Sequence, residues 1–213
     1  MARKILWGTA LAGWLLFTYW YTNTGGPLTQ EEVEHYLEGM QAAAASRGEE
    51  ANPEVLRRFL ESDTGNQFLM VNLVDLKENP EPIPGSKPGA TAQWMVNHYM
   101  EYMFPALLRR ASHPIYIGAA KAPAMDLIGV PGAEVWEQAL LMRYRSRRDL
   151  MDIAVNPEFA ERHPFKVAGI EKTIAFPVES LLYPADPRFL LALVLFALCS
   201  LVDIPLRRRG AGR

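Results

Sequence analysis

Gln67-Phe68-Leu69-Met70-Val71-Asn72-Leu73-Val74 is the stretch on which the fold turns. Before it, apolar residues recur at helical spacing; within it they alternate. Leu69, Val71 and Leu73 make one apolar face, and Phe68, Met70, Asn72 and Val74 a mixed one, which is the period of a β-strand. Beyond it, the Pro- and Gly-rich run from Asn79 to Gly89 reads as loop. Thr91 to Ala111 returns to helical spacing, with Val96, Tyr99, Met103 and Leu107 as a core stripe.

Ile115 to Lys121 and Glu134 to Arg145 follow as strands. Ser146-Arg147-Arg148-Asp149 and Asn156-Pro157-Glu158 carry the cap residues of two more helices. Glu171 to Ser180 is the last strand, which Pro177 confines to a sheet edge or cuts short in its pairing. The order strand, helix, strand, strand, helix, strand is the ferredoxin-like split βαβ arrangement, an α+β class. Helices cover one face of such a sheet. The other face must find a cover, so a homodimer is expected.

Working outward, Gly25-Gly26-Pro27 is a hinge, and Thr29-Gln30-Glu31-Glu32 is a capping box that opens a helix ended by Gly48. Val33, Tyr36, Leu37 and Met40 form its apolar face. Asn52-Pro53-Glu54 starts a second helix with Val55, Leu56, Phe59 and Leu60 inward. Residues 25–65 thus read as an accessory helical module ahead of a main domain at 66–183.

The two ends differ in kind. Ile5 to Thr22 has no charge and is entered by Arg3-Lys4; Phe189 to Leu206, broken by Asp203, exits into Arg207-Arg208-Arg209. Either stretch would reach roughly 27 Å as a helix, close to a bilayer's hydrocarbon thickness. The expectation is one transmembrane helix at each end, in segments 1–24 and 184–213. The first stretch could also be a cleaved signal peptide, but Trp20-Tyr21-Thr22-Asn23 is a poor cleavage site. The second, whose unbroken apolar run is Phe189 to Val202, could also be a buried helix, but Pro187-Arg188 and the Arg triplet favour a span, with Asp203 reaching interfacial water beside the arginines. Basic flanks put both termini in the cytoplasm and the main domain on the extracytoplasmic side, periplasmic in a bacterium.

Between the ends, Asn23 to Arg188 holds 16 Lys and Arg against 23 Asp and Glu, a net charge of −7. That sign repels nucleic acid and excludes it as a partner, while the basic ends suit membrane lipid. The one cysteine, Cys199, leaves no intrachain disulfide.

Four motifs in order carry a resemblance: Phe68-Leu-Met-Val-Asn-Leu-Val74; Trp136-Glu-Gln-Ala-Leu-Leu-Met-Arg-Tyr-Arg-Ser-Arg147; Asn156-Pro-Glu-Phe159; and Ala168-Gly-Ile-Glu-Lys-Thr173. Together they resemble the DUF1330 family over roughly Gln67 to Ser180. The resemblance implies a dimeric α/β-barrel, in which two ferredoxin-like sheets close face to face, more than it implies a chemistry. The wider group includes cofactor-free monooxygenases, isomerases and haem-handling enzymes. The chain departs from the family at Asp75, at Arg145 and at Lys166, which sits near a usual arginine. Arg110-Ala111-Ser112 replaces a glycine pair.

The candidate pocket residues are Asn72, Met70, Arg143 and Glu137. Asn72 either holds a ligand's polar group or is satisfied by backbone. Arg143 either binds an anion or pairs with Glu137 along the strand. His98 and Tyr102 are weaker candidates, with Glu101 one turn from His98 as an orienting carboxylate and an exposed, partly paired histidine as the competing reading. Arg143, Arg145, Arg147 and Arg148 read as a solvated strand end with an occasional role in anion binding. The four histidines lack metal-ligand spacing, and no phosphate loop or nucleophile elbow is present, so metal and cofactor are expected to be none. The expectation is a membrane-tethered accessory or small-molecule-binding protein, with a membrane-protein complex as a further partner. The alternative is a cofactor-free oxygenase or isomerase acting on a small hydrophobic molecule.

Overall fold

The structure is a computed structural model that describes residues 2–47 and 52–211. The helix stop expected at Gly48 lies outside the described residues. The chain divides into two compact units, residues 25–179 and the two ends (residues 1–24 with 180–213).

In the first unit the elements are α1 (Gln30–Arg47), α2 (Pro53–Glu61), β1 (Phe68–Leu76), α3 (Ala92–Arg109), β2 (His113–Ala119), β3 (Gln138–Tyr144), α4 (Arg147–Ala154), α5 (Pro157–Gly169) and β4 (Ile170–Val178). The strands form one four-stranded antiparallel sheet in the order β2-β3-β1-β4. With helices joining β1 to β2 and β3 to β4, this is the split βαβ connectivity of a ferredoxin-like fold. The helix starts follow from their caps. Asn52 accepts from Val55 N, Thr91 from Trp94 N, Ser146 from Asp149 N and Asn156 from Glu158 N. Thr29 and Glu32 exchange the reciprocal bonds of a capping box.

Alternation in β1 decides which residues meet the helices. Phe68, Met70, Asn72 and Val74 pair across the sheet with Tyr144, Met142, Leu140 and Gln138, and this shared face lies under α3 and α5. Phe68 stacks on Tyr144 at 5.2 Å between ring centres, and both pack with Met95, Tyr99, Met103, Leu107 and Phe165 in the main core. Gly169 lets α5 end against α3: a Cβ there would sit 2.9 Å from the Ala92 carbonyl oxygen. A second core of Val33, Tyr36, Leu37, Leu60 and Met151 joins α1 and α2 to α4. The opposite sheet face carries Val71, Leu73, Leu141, Ile174, Phe176 and Tyr116, with Phe176 and Tyr116 about half exposed.

Strand boundaries differ from the sequence reading by one or two residues at most ends, and two starts matter for the fold. β2 begins at His113, earlier than Ile115. β3 begins at Gln138, later than Glu134, because residues 120–137 form a loop whose base is pinned by Trp136 Nε1 donating to Ala133 O and by Lys172 Nζ lying 5.0 Å over the Trp136 ring.

The second unit holds α6 (Ala2–Tyr21) and α7 (Pro187–Ala211), labelled here after the elements of the first unit. Trp14 Nε1 donates to Arg188 O at 2.9 Å, and the Trp7 and Phe196 rings lie 5.8 Å apart. These contacts set the two helices antiparallel. Asp203, expected at interfacial water, is instead buried in an ion pair with Arg3, which the antiparallel neighbour brings alongside. The expectation of two membrane-length helices is corrected. Among the described residues one helix, Pro187–Leu206, is long and apolar enough to cross a membrane. The N-terminal helix falls short because Trp7, Trp14, Tyr19, Trp20 and Tyr21 are amphipathic rings and Gly8, Thr9 and Gly13 add little apolarity.

Candidate functional site

Between the sheet and α3 lies a cavity of about 140 Å³. Its floor comes from alternate residues of two paired strands, Asn72 and Val74 of β1 and Gln138, Leu140 and Met142 of β3. Its roof comes from Gln93, Val96, Tyr99, Met103 and Leu107 of α3, with Lys166 of α5 at its side. The helical stripe and the strand alternation that build the core therefore leave this space between them.

The polar groups are unevenly placed. Val74 pairs with Gln138, and Leu76 pairs with Ile170 next to the end of α5. Gln93, in the first turn of α3, and Lys166, in the last turn of α5, belong to that same end. At the other end are Met103, Leu107, Met142 and Tyr144. Asn72 sits midway, where its Nδ2 donates to Met70 O at 2.9 Å, the backbone-satisfied arrangement. Burial pushes the Tyr144 phenol well above its ordinary value. Burial first, and then the neighbouring Tyr144 and Tyr102, does the same to Tyr99. Both phenols stay protonated and can donate. The Lys166 ammonium lies 5.9 Å from the centre of the Tyr99 ring. Among the described residues that line the cavity, Lys166 is the charged one.

The residues singled out from sequence fall in four places. Asn72 is in this cavity, on the helix side of the sheet rather than on the face open to a second copy. Met70 lines a wider groove of about 570 Å³ between α2 and the β1–β4 edge, with Phe59, Phe68, Pro177, Arg147 and Glu179. Arg143 is fully buried on the sheet's other face, donating to Gln67 Oε1 at 2.6 and 2.9 Å and to Ala111 O. Glu137 is exposed in the loop before β3. Six residues of extended chain separate the two by about 20 Å, so the expected ion pair along the strand is out of reach.

His98 and Tyr102 lie on α3 away from the cavity lining. His98 stacks on Trp94 at 5.0 Å and meets Phe165 edge-on at 4.5 Å. Glu101 Oε2 is 3.0 Å from its Nδ1, and Arg162 contacts Nε2. Its ring is half-buried and engaged on every side, an interlock of α3 with α5. Tyr102 packs beside the main core, its phenol pushed up first by burial and then by Glu158.

The arginine run also changes meaning. Arg145 pairs with Asp149 at 2.7 Å, and Arg148 with Glu32 at 2.6 Å. Arg147 reaches Phe59 O, Ser62 Oγ at 2.8 Å and the carboxylates of Asp63 and Glu179 at 3.5 Å. Arg148 fastens α1, and Arg147 fastens α2, to α4, while Arg145 and Asp149 tie the end of β3 to the start of α4. Gln93 and Gln138 are not among the sequence candidates, and Lys166 enters there only as a departure from the family pattern. The parity that placed Asn72 also places Gln138, through the Val74 pairing, and Gln93 lies one helical turn before Val96 and two before Tyr99 and Met100. Among the described residues no group of three or more His, Cys, Asp or Glu is placed to hold a metal ion.

No protein-family model matches the chain, and no curated protein does. Solved structures do. RPA0582, a protein of unknown function from Rhodopseudomonas palustris, is 21% identical, with a TM-score of 0.52 over 63% of this chain and 97% of its own. The likeness is one of fold. A dimeric protein of unknown function and ferredoxin-like fold from Bacteroides fragilis is 17% identical, over 54% of this chain and 96% of its own, with a TM-score of 0.32.

Proposed function

We propose that the chain is a membrane-tethered binding protein that holds a small, mainly apolar molecule between its sheet and α3. The cavity carries this reading. A dry cavity of about 150 Å³ is enough to admit benzene, and this one of about 140 Å³ adds a few convergent polar groups to an apolar lining. The apolar sheet face bearing Val71, Leu141, Phe176 and Tyr116 supports a homodimer of the α/β-barrel type, as do the DUF1330-like motifs, which fall on β1, β3, α5 and the start of β4.

Tethering rests on α7, whose apolar side chains from Phe189 to Ile204 are mostly exposed and gain by burial in lipid. The N-terminal helix packs along it. The basic ends favour cytoplasmic termini and an extracytoplasmic binding domain. In intact cells, a Glu81→Cys variant, in the exposed loop before α3, should react with an impermeant thiol reagent; protection would reverse the orientation.

Native mass spectrometry of the full-length protein released from nanodiscs tests the main reading. The expected species is a dimer with a small-molecule adduct lost on denaturation, and Asn72→Ala should lose the adduct while staying folded. A bare mass, together with no uptake of benzene by the wild type, would refute the binding function. A monomer would remove the barrel.

A further inference from the structure

We infer that residues 120–137 form an arm that grips a second copy of this chain, extending past the edge of the sheet as the two open faces meet. This rests on the homodimer of the proposed function and assigns it a second contact besides the sheet.

The arm is held in place by hydrogen bonds at its base. It leaves β2 and returns to β3 as an irregular hairpin, with Ala120 N donating to Glu137 O and Ala124 N to Glu134 O, both at 2.8 Å. Its returning limb is tied to two further strands. Glu137 N donates to Val74 O of β1 at 3.0 Å, and Lys172 Nζ of β4 donates to Gly132 O at 2.7 Å. Although anchored, the arm presents apolar side chains to solvent. Met125 is 99% exposed and Ile128 84%, and Leu127, Val130 and Val135 are exposed as well. Apolar side chains concentrated on one such segment mark a surface that a partner covers.

The anchoring point identifies the partner. Lys172 pairs with Asp75, two positions along each strand from the Leu73–Ile174 pair. Side-chain alternation therefore puts Lys172 on the open face of the sheet. The face that needs a cover and the limb that carries the arm are neighbours. A second copy seated on Leu73, Ile174 and Phe176 comes to rest beside Gly132 and Trp136, and the arm continues that apolar contact beyond the strands. A two-fold axis repeats the contact, so each copy gives an arm and receives one. The arm takes no part in the unit's own attachment. The chain enters and leaves the unit at the other end of the sheet, where Gly26 lies against Gly65 just before β1 and Thr64 Oγ1 donates to Glu179 just after β4 at 2.7 Å. The nine residues of β1 separate the two ends by about 30 Å.

The test follows the dimer of full-length protein in mild detergent by native mass spectrometry across a dilution series. A variant carrying Met125→Asp and Ile128→Asp should raise the dimer dissociation constant about a hundredfold, a factor of about three for each of four side chains across the axis. Its circular dichroism should match the wild type, since both positions are exposed in the single chain. Val55→Asp, an exposed apolar site on α2 beside the helix-covered side of the sheet, should leave the constant unchanged. In hydrogen exchange, amides of residues 130–135 should be at least about tenfold slower in the wild-type dimer than in the double variant. An unchanged constant, equal weakening by Val55→Asp, or exchange at 130–135 that does not differ would each overturn the arm contact and leave the dimer standing. A wild type that is monomeric at every concentration would take down the dimer and the arm together.

Discussion

The two ends of β3 use their polar residues in opposite ways. At its C-terminal end Arg143, Arg145, Arg147 and Arg148 all have protein partners, and those partners lie on α1, α2, α4 and the segments beside β1 and β2. At its N-terminal end Gln138 faces a cavity with Lys166, Gln93 and Asn72. One end is closed by internal hydrogen bonds and holds the fold. The other borders a cavity. Abundance of charge in a sequence therefore says little about where open space lies; the four arginines together close one end of the strand.

Substitutions at the two ends should separate stability from binding. The largest effect belongs to Arg143, fully buried and held by Gln67 and Ala111. Arg143→Met should cost about 3 kcal/mol in denaturant unfolding, because it strands the Gln67 and Ala111 oxygens in the interior. Ala111 adopts φ 51°, in the left-handed region that favours glycine, and the arginine helps to hold that carbonyl in place. A loss below about 0.5 kcal/mol would mean that the closed end is not what fixes the fold. Arg147→Ala should follow at about 2 kcal/mol, since its guanidinium bonds Phe59 O and Ser62 and lies 4.6 Å over the Phe59 ring. Its signature is local: α2 should become the first site of limited proteolysis. Lys166→Met at the open end should stay within about 0.5 kcal/mol of the wild type. A large loss there would erase the contrast.

Much of this architecture is legible from residue order. Asn52, Thr91, Ser146 and Asn156 each mark a helix start that the structure realises, because a cap acts on backbone groups two or three residues away. Alternation in Gln67–Val74 places β1, for the same local reason. Partners distant in sequence are what the reading lacked. Arg143 was matched to Glu137 within its own strand, but its acceptors are Gln67 and Ala111, brought in by pairing with β1 and by the turn before β2. Asp203 was assigned to water, whereas its partner, Arg3, is 200 positions away. Asn72 alone does not reveal which face of the sheet α3 covers. The helical stripe of Tyr99, Met103 and Leu107 does carry that information, once it is laid against the strand's mixed face. Membrane-length apolarity fails for a different reason: Trp and Tyr extend an apolar run in sequence but favour the membrane–water interface over the hydrocarbon core.

The smallest effect lies in the fastening of α1. Glu32 is held at about 2, first by the Arg148 guanidinium bonded to it and further by the Thr29 amide and hydroxyl, against an ordinary glutamate near 4.5. A depressed folded-state value stabilises the fold above the unfolded value, and that contribution fades as pH falls from about 4.5 toward 2. The pair is about one-third exposed at Glu32, so solvent screening reduces its worth to about 1 kcal/mol. Wild-type stability should therefore drop more steeply across this window than that of Glu32→Gln, and the two curves should converge at the acid end. Parallel curves would show that the Arg148 contact does not hold α1 in solution. Because Glu32 and Arg148 lie outside the cavity lining, Glu32→Gln should leave the adduct seen by native mass spectrometry at pH 7 unchanged, which is the same separation of the two ends of β3 tested at its weakest point.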